Sequence, residues 1–456
     1  MITKNQTHER NQLEAISIED LVPKDHLVRK LDAAIDYNFI YPLVEHLYSD
    51  IGRPSVDPVV LFKMTFIQYV FGIRSMRQTI KEIETNVAYR WYLGFGFTSE
   101  IPHFSTFGKN YERRFKDTDI FEQIFYRILK EITSKNLLDA DHVFIDSTHV
   151  KASANKKKFE KKMVRKETKA YEAKLQEELN IDRENNGKKP FPPEKFEKEE
   201  MKEIKESTTD PESGYYVKDE RTKQFAYSFH TATDSKGFIV GAEVTPENVH
   251  DSKMLQPLVE KIIEKLKKPK AVAADAAYKT PAIANFLLSN NILPVLPYTR
   301  PKTKDGFLKK YEYVYDEYHD CYICPQDKLL TYKTTTKEGY RQFSSNPIEC
   351  KNCSLLSVCT TSKQYKKIIH RHLWENSLEE VEHLRHRQDV KQIYAKRKET
   401  VERVFADAKE KHGMRWTNLR GLKKLSMQAM LIYSAMNLKK LANWTWKPSR
   451  STVVSG

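Results

Sequence analysis

The sequence predicts an α/β protein built on a mixed sheet, with a helical domain before the sheet and a β-rich insertion within it. Residues 1–135 show the apolar spacing of helices, residues 136–297 alternate strand-like runs with helical segments, and residues 298–375 alternate tyrosines with polar residues. Strands that alternate with helices after two adjacent strands are typical of a mixed sheet with helices on its faces. These three patterns define the predicted fold class.

The first segment has several helix boundary signals. Asp57 precedes a proline and a long apolar run, so it is predicted to cap a helix, and Gly72 is predicted to end that helix. Ser75 and Ser105 are predicted to cap two further helices. The result is a set of short helices that includes a pair resembling a helix-turn-helix.

Arginines on these helices favour a DNA-binding role for the first domain. Arg113 and Arg114 follow the predicted cap at Ser105 and are predicted to contact DNA. A small helical bundle with ordinary solvated charges remains an alternative for this segment considered alone.

The charge of the chain favours a polyanionic partner. Its 456 residues include 77 Lys and Arg against 62 Asp and Glu, which gives a formal net charge of +15. Nucleic acid is the first candidate partner. A membrane partner is disfavoured because no apolar run approaches the roughly 20 residues that a spanning helix needs. The polar start MITKNQTHERNQ does not have the pattern of a signal peptide, so a cytoplasmic location is predicted.

The predicted core consists of alternating elements between two insertions. Residues 151–212 are rich in Lys and Glu and are predicted to form exposed helices or a charged arm. Residues 298–375 are predicted to form antiparallel strands, and 376–445 to return to the core as helices. The other predicted core elements, in chain order, are the strands 142–153, 225–234 and 237–246, the helix 251–267, the strand 271–275, a helix opened by Thr280 and the strand 291–297.

Three acidic residues stand where a divalent-metal site would need them. Asp146 follows one apolar run, Asp275 follows another, and Glu402 lies on a predicted helix. A carboxylate at the end of a buried strand is costly unless something pairs with it, so two such strands suggest a shared cation. A third carboxylate would complete a cage for two Mg²⁺ or Mn²⁺ ions roughly 4 Å apart. Each acid alone could instead cap a helix or pair with a lysine.

These motifs resemble the DDE transposases of bacterial insertion sequences, in the branch with a Tyr, Arg, Glu, Lys signature around the last acid. The N-terminal helices also resemble the DNA-binding domain of these enzymes, so the resemblance covers nearly the whole chain. The matching segments are FIDSTHVKASANKK, VTPENVHDSKML, AVAADAAYKT, YAKRKETVERVFADAKEKHGMRWTNLRG and, near the N-terminus, GRPSVDPVVLFKM with IPHFSTFGKNYERRF.

The resemblance implies a ribonuclease H-like catalytic core in which Asp146, Asp275 and Glu402 are catalytic metal ligands. Lys409 matches the Lys of the signature and is expected to bind DNA. Arg397, like Tyr394, stands one residue further upstream than the signature places it.

Further DNA contacts are expected on both sides of the catalytic acids. Lys398 occupies the signature's Arg position, and Arg397 and Lys398 are both expected at the DNA. His149 and Lys151, which follow the first acid, are expected near the scissile strand. Glu399 remains a rival acid one helical turn before the expected third ligand.

The implied activity is cleavage of transposon ends and joining of the 3′-OH to target DNA by two-metal-ion phosphoryl transfer. The expected partners are double-stranded DNA, as terminal inverted repeats and target, and a second copy of the chain in a homodimer on DNA. The expected location is the bacterial cytoplasm, in association with the nucleoid. A catalytically inactive repressor that binds transposon ends and a nuclease without strand transfer remain alternatives.

Four of the five cysteines have paired zinc-ligand spacing. They form two C-x₂-C pairs, and the stretch between the pairs is slightly longer than usual for zinc. A structural zinc site and a set of reduced, buried thiols both remain open. The four cysteines are Cys321, Cys324, Cys350 and Cys353.

Overall fold

The computed structural model describes residues 15–49, 51–52, 54–165, 171–197, 201–217, 222–300 and 303–447. The polar N-terminal start on which the prediction about a signal peptide rests lies outside these ranges. The chain divides into two compact units, one of residues 1–138 with 404–456 and one of residues 139–403. Within the described ranges, no helix combines the length and apolar character needed to span a bilayer.

The helices lie mainly in the first unit and around the sheet of the second. Shorter 3₁₀ and π turns lie between some of them. The α-helices of the described residues are, in chain order, α1 (Ile18–Leu21), α2 (Leu27–Ala34), α3 (Ile40–Val44), α4 (Pro58–Val70), α5 (Met76–Thr85), α6 (Val87–Leu93), α7 (Ser105–Asn110), α8 (Ile120–Ser134), α9 (Glu172–Asn185), α10 (Pro193–Glu197), α11 (Leu255–Lys265), α12 (Pro281–Ser289), α13 (Pro347–Lys351), α14 (Leu356–Cys359), α15 (Glu375–Leu384), α16 (Gln388–Ala395), α17 (Val401–Lys411) and α18 (Leu422–Thr445).

The strands of the described residues belong to the second unit. They are, in chain order, β1 (His142–Lys151), β2 (Phe159–Arg165), β3 (Met201–Ser207), β4 (Gly214–Val217), β5 (Lys223–Thr233), β6 (Ile239–Pro246), β7 (Ala271–Ala273), β8 (Leu293–Val295), β9 (Val314–Asp316), β10 (Cys321–Ile323), β11 (Leu329–Thr335), β12 (Tyr340–Ser345) and β13 (Ile368–His372).

Two of the three predicted helix caps of the first unit are confirmed. The Asp57 carboxylate accepts from the backbone N–H of Val59 at 2.7 Å, and the Ser75 hydroxyl accepts from Gln78 at 3.2 Å. The prediction for Ser105 is wrong, because this residue is the first of α7 and Phe104 precedes it without a side-chain cap.

Helix α18 forms the centre of the first unit. It packs against α2, α4 and α8, and it is buried around most of its circumference, which is typical of a helix that is apolar on several faces. The sequence-based boundary assigned 376–445 to the catalytic core, whereas the C-terminal part from residue 404 packs with the N-terminal helices. Contacts distant in sequence decide this difference.

The core of the second unit is a six-stranded mixed sheet in the order β4, β5, β1, β7, β8, with β6 also paired to β5. Strand β1 is antiparallel to β5 and parallel to β7, and β7 is parallel to β8. The predicted strands and the helices α11 and α12 are confirmed. Thr280 caps α12, as predicted, by accepting from the backbone N–H of Ile283 at 3.3 Å.

The two insertions differ from each other in structure. The charged segment 151–212, for which exposed helices or a charged arm were expected, contains the helices α9 and α10 and an antiparallel two-stranded sheet of β2 and β3. The second insertion contains the predicted antiparallel strands, in the order β13, β12, β11, β10, β9. Its core is aromatic and aliphatic, with Tyr313, Tyr322, Leu330, Phe343 and Ile369 buried together.

Candidate active site

Two aspartates lie side by side where a parallel strand pair of the six-stranded sheet ends. Phe144 of β1 pairs with Ala273 of β7, and Asp146 and Asp275 each follow two residues later. Neighbouring strands are roughly 5 Å apart, so the two residues are adjacent across the pair. The Asp275 carboxylate accepts from the backbone N–H of Ala277 at 3.0 Å, which starts the turn after β7.

Asp146 lies within its strand rather than at its end, which differs from the sequence-based expectation. Strand β1 continues to Lys151 because β5 pairs with it along this length, whereas β7 pairs only with residues 142–144. At Asp146, β7 therefore no longer pairs with β1, and this edge of the strand is open. In mixed and parallel sheets, ligands collect beyond such strand ends.

The Asp146 carboxylate is mostly buried and has a charged partner. Its Oδ2 accepts from Arg397 Nη2 at 2.6 Å, and its Oδ1 accepts from the backbone N–H of Ser147 at 2.8 Å. Burial raises the pKa of Asp146 to about 6, although Arg397 lowers it; the charges of Asp275 and Asp251 raise the pKa further. The site thus holds more negative charge than one guanidinium neutralises.

Arg397 occupies an internal position that the sequence did not indicate. It lies in a 3₁₀ turn, residues 396–398, between α16 and α17, and its side chain is 9% exposed. Its Nη1 lies 3.5 Å from the Tyr394 hydroxyl, and its Nε is buried without a hydrogen-bond partner among the described residues. Burial lowers the pKa of Arg397, but Asp146, Tyr394 and Asp275 raise it by a larger amount. The residue expected at the DNA is thus bonded to the first acid.

The one-residue offset of Arg397 and Tyr394 from the family signature coincides with a break between the helices α16 and α17. Helix α16 ends at Ala395 and α17 begins at Val401, with the 3₁₀ turn and a further turn between them. Positions on the two sides of this break do not follow one helical period. Arg397 therefore faces Asp146 from the turn and not from a continuous helix.

The third predicted acid is in the first turn of α17. Glu402 is exposed there, as are Glu399 and Lys398 in the preceding turn. Among the described residues, the carboxylates whose charges raise the pKa of Asp146 are those of Asp275 and Asp251.

Asp251 is a site residue that the sequence analysis missed. It was assigned only to the start of a helix, and it does begin a 3₁₀ turn, residues 251–253, before α11. This turn contacts the turn 276–278 that follows Asp275. The Oδ1 atom of Asp251 lies 3.6 Å from Nδ1 of His230. Asp251 stands between a predicted strand and a predicted helix, within the segment VTPENVHDSKML that is part of the resemblance. This position is the signal that could have identified it.

His230 and Tyr278 are fully buried polar residues beside Asp251. His230 pairs across the sheet with Ser147, its Nε2 is 2.8 Å from the Thr245 hydroxyl, and burial lowers its pKa to about 4. Its Nδ1 and the Tyr278 hydroxyl have no hydrogen-bond partner within the described part of the chain. Burial raises the pKa of Tyr278, and the charges of Asp251, Asp146 and Asp275 raise it further.

His149 and Lys151 lie further along β1. Nδ1 of His149 is 2.7 Å from Oε1 of Glu247, and the His149 ring lies against Tyr216 with 4.2 Å between ring centroids. Lys151 is exposed at the end of the strand. The histidine therefore has partners within the second unit, and the lysine is open to solvent.

The basic residues predicted in the first unit have different surroundings. Arg113 is exposed, whereas the Arg114 guanidinium lies over the Tyr48 ring, 4.3 Å from its centroid, and bonds to Asn110. Lys409 of α17 lines a cleft of about 540 Å³ together with Trp416, residues of α4, α7 and α18, and others. This cleft combines aromatic and basic side chains within one unit.

The spacing of the cysteines left a zinc site and reduced thiols as alternatives. All five are free, and Cys321 is buried in β10, where burial raises the pKa of its thiol. Cys350 donates to the Ser345 hydroxyl, and Cys359 lies beside the Tyr313 hydroxyl. Among the described residues, no group of three or more His, Cys, Asp or Glu side chains is placed so that it could hold a metal ion.

The absence of such a group among the described residues includes the carboxylates of Asp146, Asp275 and Asp251, whose side chains do not converge on one point. Their chemistry nevertheless fits a hard divalent cation, because Asp146, Asp275 and Asp251 supply carboxylate oxygens, the ligands that Mg²⁺ prefers. The orphaned hydroxyl of Tyr278 lies among them. The donor types therefore fit such an ion.

Two family models match the chain in sequence. Residues 16–113 match a transposase domain, DUF772, and residues 323–442 match a transposase DDE domain. The second match includes Glu402 and Lys409, whereas Asp146 and Asp275 lie before it.

No curated protein is significantly similar to the chain in sequence. A solved structure of the piggyBac transposase synaptic complex with hairpin DNA is similar at 8% identity and a TM-score of 0.36, over 93% of this chain and 74% of that chain. A likeness at this score does not bear on function. The two domain matches support a DDE-type transposase, an enzyme of mobile DNA elements.

Proposed function

We propose that this transposase cuts the ends of its own element and joins the freed 3′-OH to target DNA. The observation that carries the proposal is the placement of Asp146 and Asp275 at the end of the parallel pair β1 and β7. In the first step water replaces the 3′ oxygen at phosphorus, and in the second the freed 3′-OH replaces the 3′ oxygen of a target phosphodiester. The joining step breaks one phosphodiester bond and forms another, so it needs no high-energy cofactor.

The proposed catalytic core is ribonuclease H-like and consists of residues 136–297 and 376–445, although the part from residue 404 packs with the N-terminal helices. A central first strand that carries the first acid, flanked by one antiparallel and one parallel neighbour, supports this assignment. Residues 1–135 are proposed as the DNA-binding domain, and the segments 151–212 and 298–375 as insertions in the core.

Asp146, Asp275 and Glu402 are proposed to hold two Mg²⁺ or Mn²⁺ ions. When bound, these ions supply an activated oxygen nucleophile, charge neutralisation at phosphorus and stabilisation of the leaving 3′ oxygen. The chain's own contribution is to hold the carboxylates in place: Asp146 through β1 and its bond to Ser147, and Asp275 through the turn it caps. Glu402 enters from the exposed side of α17.

DNA binding is proposed to use exposed basic residues of both units. Lys409 is assigned to a DNA phosphate, as a point charge. Arg113, Lys398 and Lys151 are exposed and suited to phosphates, and the net charge of +15 favours the same partner. Pairing of two transposon ends would require a dimer on DNA. A bacterial, nucleoid-associated cytoplasmic location agrees with this function.

The test is an incubation of the purified chain and Mg²⁺ with DNA that ends in the inverted repeats beside its gene, together with a target plasmid. Joined products support the transposase. Cut products without joining would instead indicate a nuclease, and binding without cutting would indicate a repressor.

A pair of matched variants identifies the chemical site. Asp146→Asn is expected to abolish cutting and to retain DNA binding in a gel-shift assay. Asp389→Asn changes an exposed aspartate that pairs with Arg387, and it should cut like the unaltered protein. Cutting by the Asp146→Asn protein would refute the assignment of Asp146.

A further inference from the structure

We propose that Asp251 is a further acidic residue of the active site and binds a divalent cation together with Asp146 and Asp275. This inference rests on the proposed function, and it adds a carboxylate that lies outside the expected set of three acids. Asp251 reaches the site from the turn 251–253, between β6 and α11.

The backbone places Asp251 beside the two strand-end aspartates. The turn 251–253 contacts the turn 276–278, and Asp275 caps the second of these turns. On its other side, Asp251 is 3.6 Å from His230, which pairs across the sheet with Ser147, the residue next to Asp146. Asp251 therefore has a contact with the immediate neighbourhood of each of the two acids.

Two buried polar atoms point to a ligand at this place. The Tyr278 side chain has 0% exposure, and its hydroxyl, which faces Ser147, forms no hydrogen bond of ordinary length among the described residues. The Nδ1 atom of His230, also at 0% exposure, is without a hydrogen-bond partner in that part of the chain. Buried polar atoms are normally satisfied, so unpaired ones beside three carboxylates suggest a missing ligand with bound water.

The charges at this place also favour a cation. Three carboxylates act together on Tyr278, and Arg397 is the positive group bonded to Asp146. A divalent ion held by the three carboxylates would add positive charge at this place.

Metal binding by the full chain, measured without DNA, tests the proposal separately from activity. Mn²⁺ affinity is measured by calorimetric titration of the unaltered protein and of Asp251→Asn, Asp146→Asn and Asp389→Asn. We expect Asp251→Asn and Asp146→Asn each to weaken binding roughly tenfold or more, because each removes a charged ligand. The exposed control Asp389→Asn should bind like the unaltered protein.

The outcomes separate the two proposals. Unchanged Mn²⁺ affinity in Asp251→Asn, with binding lost in Asp146→Asn, overturns the role of Asp251 and leaves the proposed function in place. If the unaltered chain binds no Mn²⁺, the role of Asp251 is overturned, and the proposed function is decided by the cutting assay.

A thiol variant provides a second readout in case Asp251→Asn does not fold. Cadmium prefers thiolate ligands, so Asp251→Cys should bind Cd²⁺ more tightly than Asp389→Cys, which retains the same five native cysteines. A purely structural role of Asp251 would not change metal preference. Equal Cd²⁺ affinity in the two variants overturns the proposal.

Discussion

Arg397 and Asp146 are 251 residues apart in the chain, and Nη2 of the arginine lies 2.6 Å from Oδ2 of the aspartate. Both side chains are mostly buried, with 9% and 19% exposure. The pair joins the turn before α17 to the central strand of the sheet. It thereby links the segment that carries the last predicted acid to the strand that carries the first.

Removal of Arg397 should destabilise the protein at pH 7. Arg397→Gln leaves the Asp146 carboxylate without its cation, and breaking a mostly buried ion pair in this way costs about 2–3 kcal/mol. Urea unfolding measures the loss. The control Arg387→Gln breaks an exposed pair with Asp389 and should cost less than about 1 kcal/mol. Equal losses in the two variants would contradict a special role for the buried pair.

The stability of the protein should depend on pH through Asp146. Its folded pKa of about 6 lies above the ordinary value of 3.8, so the folded state holds its proton more tightly than the unfolded state. The stabilisation is full below about pH 4 and is lost as pH rises through 6. Relative to the unaltered protein, Asp146→Asn should gain about 3 kcal/mol between pH 3.5 and pH 7.

The measurement is the difference in unfolding free energy between the two proteins at each pH, in which other titrating groups cancel. Asp389→Asn is the control of opposite sign, because Arg387 lowers the pKa of Asp389. A difference for Asp146→Asn that stays constant with pH would contradict the prediction.

Glu402 and Glu399 can be distinguished by matched variants. Both are exposed and lie one helical turn apart, so Glu→Gln at either position has little effect on folding. If Glu402 is the third catalytic acid, Glu402→Gln should lower the rate of DNA cutting on the order of 100-fold or more, whereas Glu399→Gln should leave it nearly unchanged. The reverse pattern would assign the role to Glu399.

The cysteines are expected to be thiols without a structural zinc ion. Elemental analysis of the purified protein should give zinc well below one ion per chain. Cys353→Ser should change stability by no more than about 0.5 kcal/mol, as is usual for a partly exposed residue without a special contact. One zinc per chain, with unfolding of the β-rich insertion on chelation, would show that the cysteines converge in solution.

Gly72 is expected to tolerate no side chain. Its φ is +67°, and a Cβ added there would lie 2.5 Å from the backbone oxygen of Lys411. Gly94 has a φ of +76° with no atom within 4 Å of the added Cβ, so it is a control for backbone strain alone. In thermal or urea unfolding, Gly94→Ala should cost about 1 kcal/mol and Gly72→Ala at least about 1 kcal/mol more. Equal costs would show that the Lys411 backbone can move away.

Local patterns predicted much of the second unit correctly. The strand around Asp146, the strand before Asp275 and the cap at Thr280 depend on residues close together in the chain, and the structure contains all three. The difference in the charged insertion has a long-range cause. The charged insertion has a Lys-Glu pattern that is compatible with helices, but pairing between β2 and β3, some 40 residues apart, overrides that pattern.

The sequence by itself determined the positions of the core strands and of the helices that follow them, and the placement of two aspartates after apolar runs, because these depend on periodicity and caps within a few residues. Only the tertiary structure decided that Asp251 and Tyr278 lie beside those aspartates and that Arg397 bonds to Asp146. It likewise decided that α18 packs with the N-terminal helices. Such contacts depend on the pairing of distant segments, which no local pattern specifies.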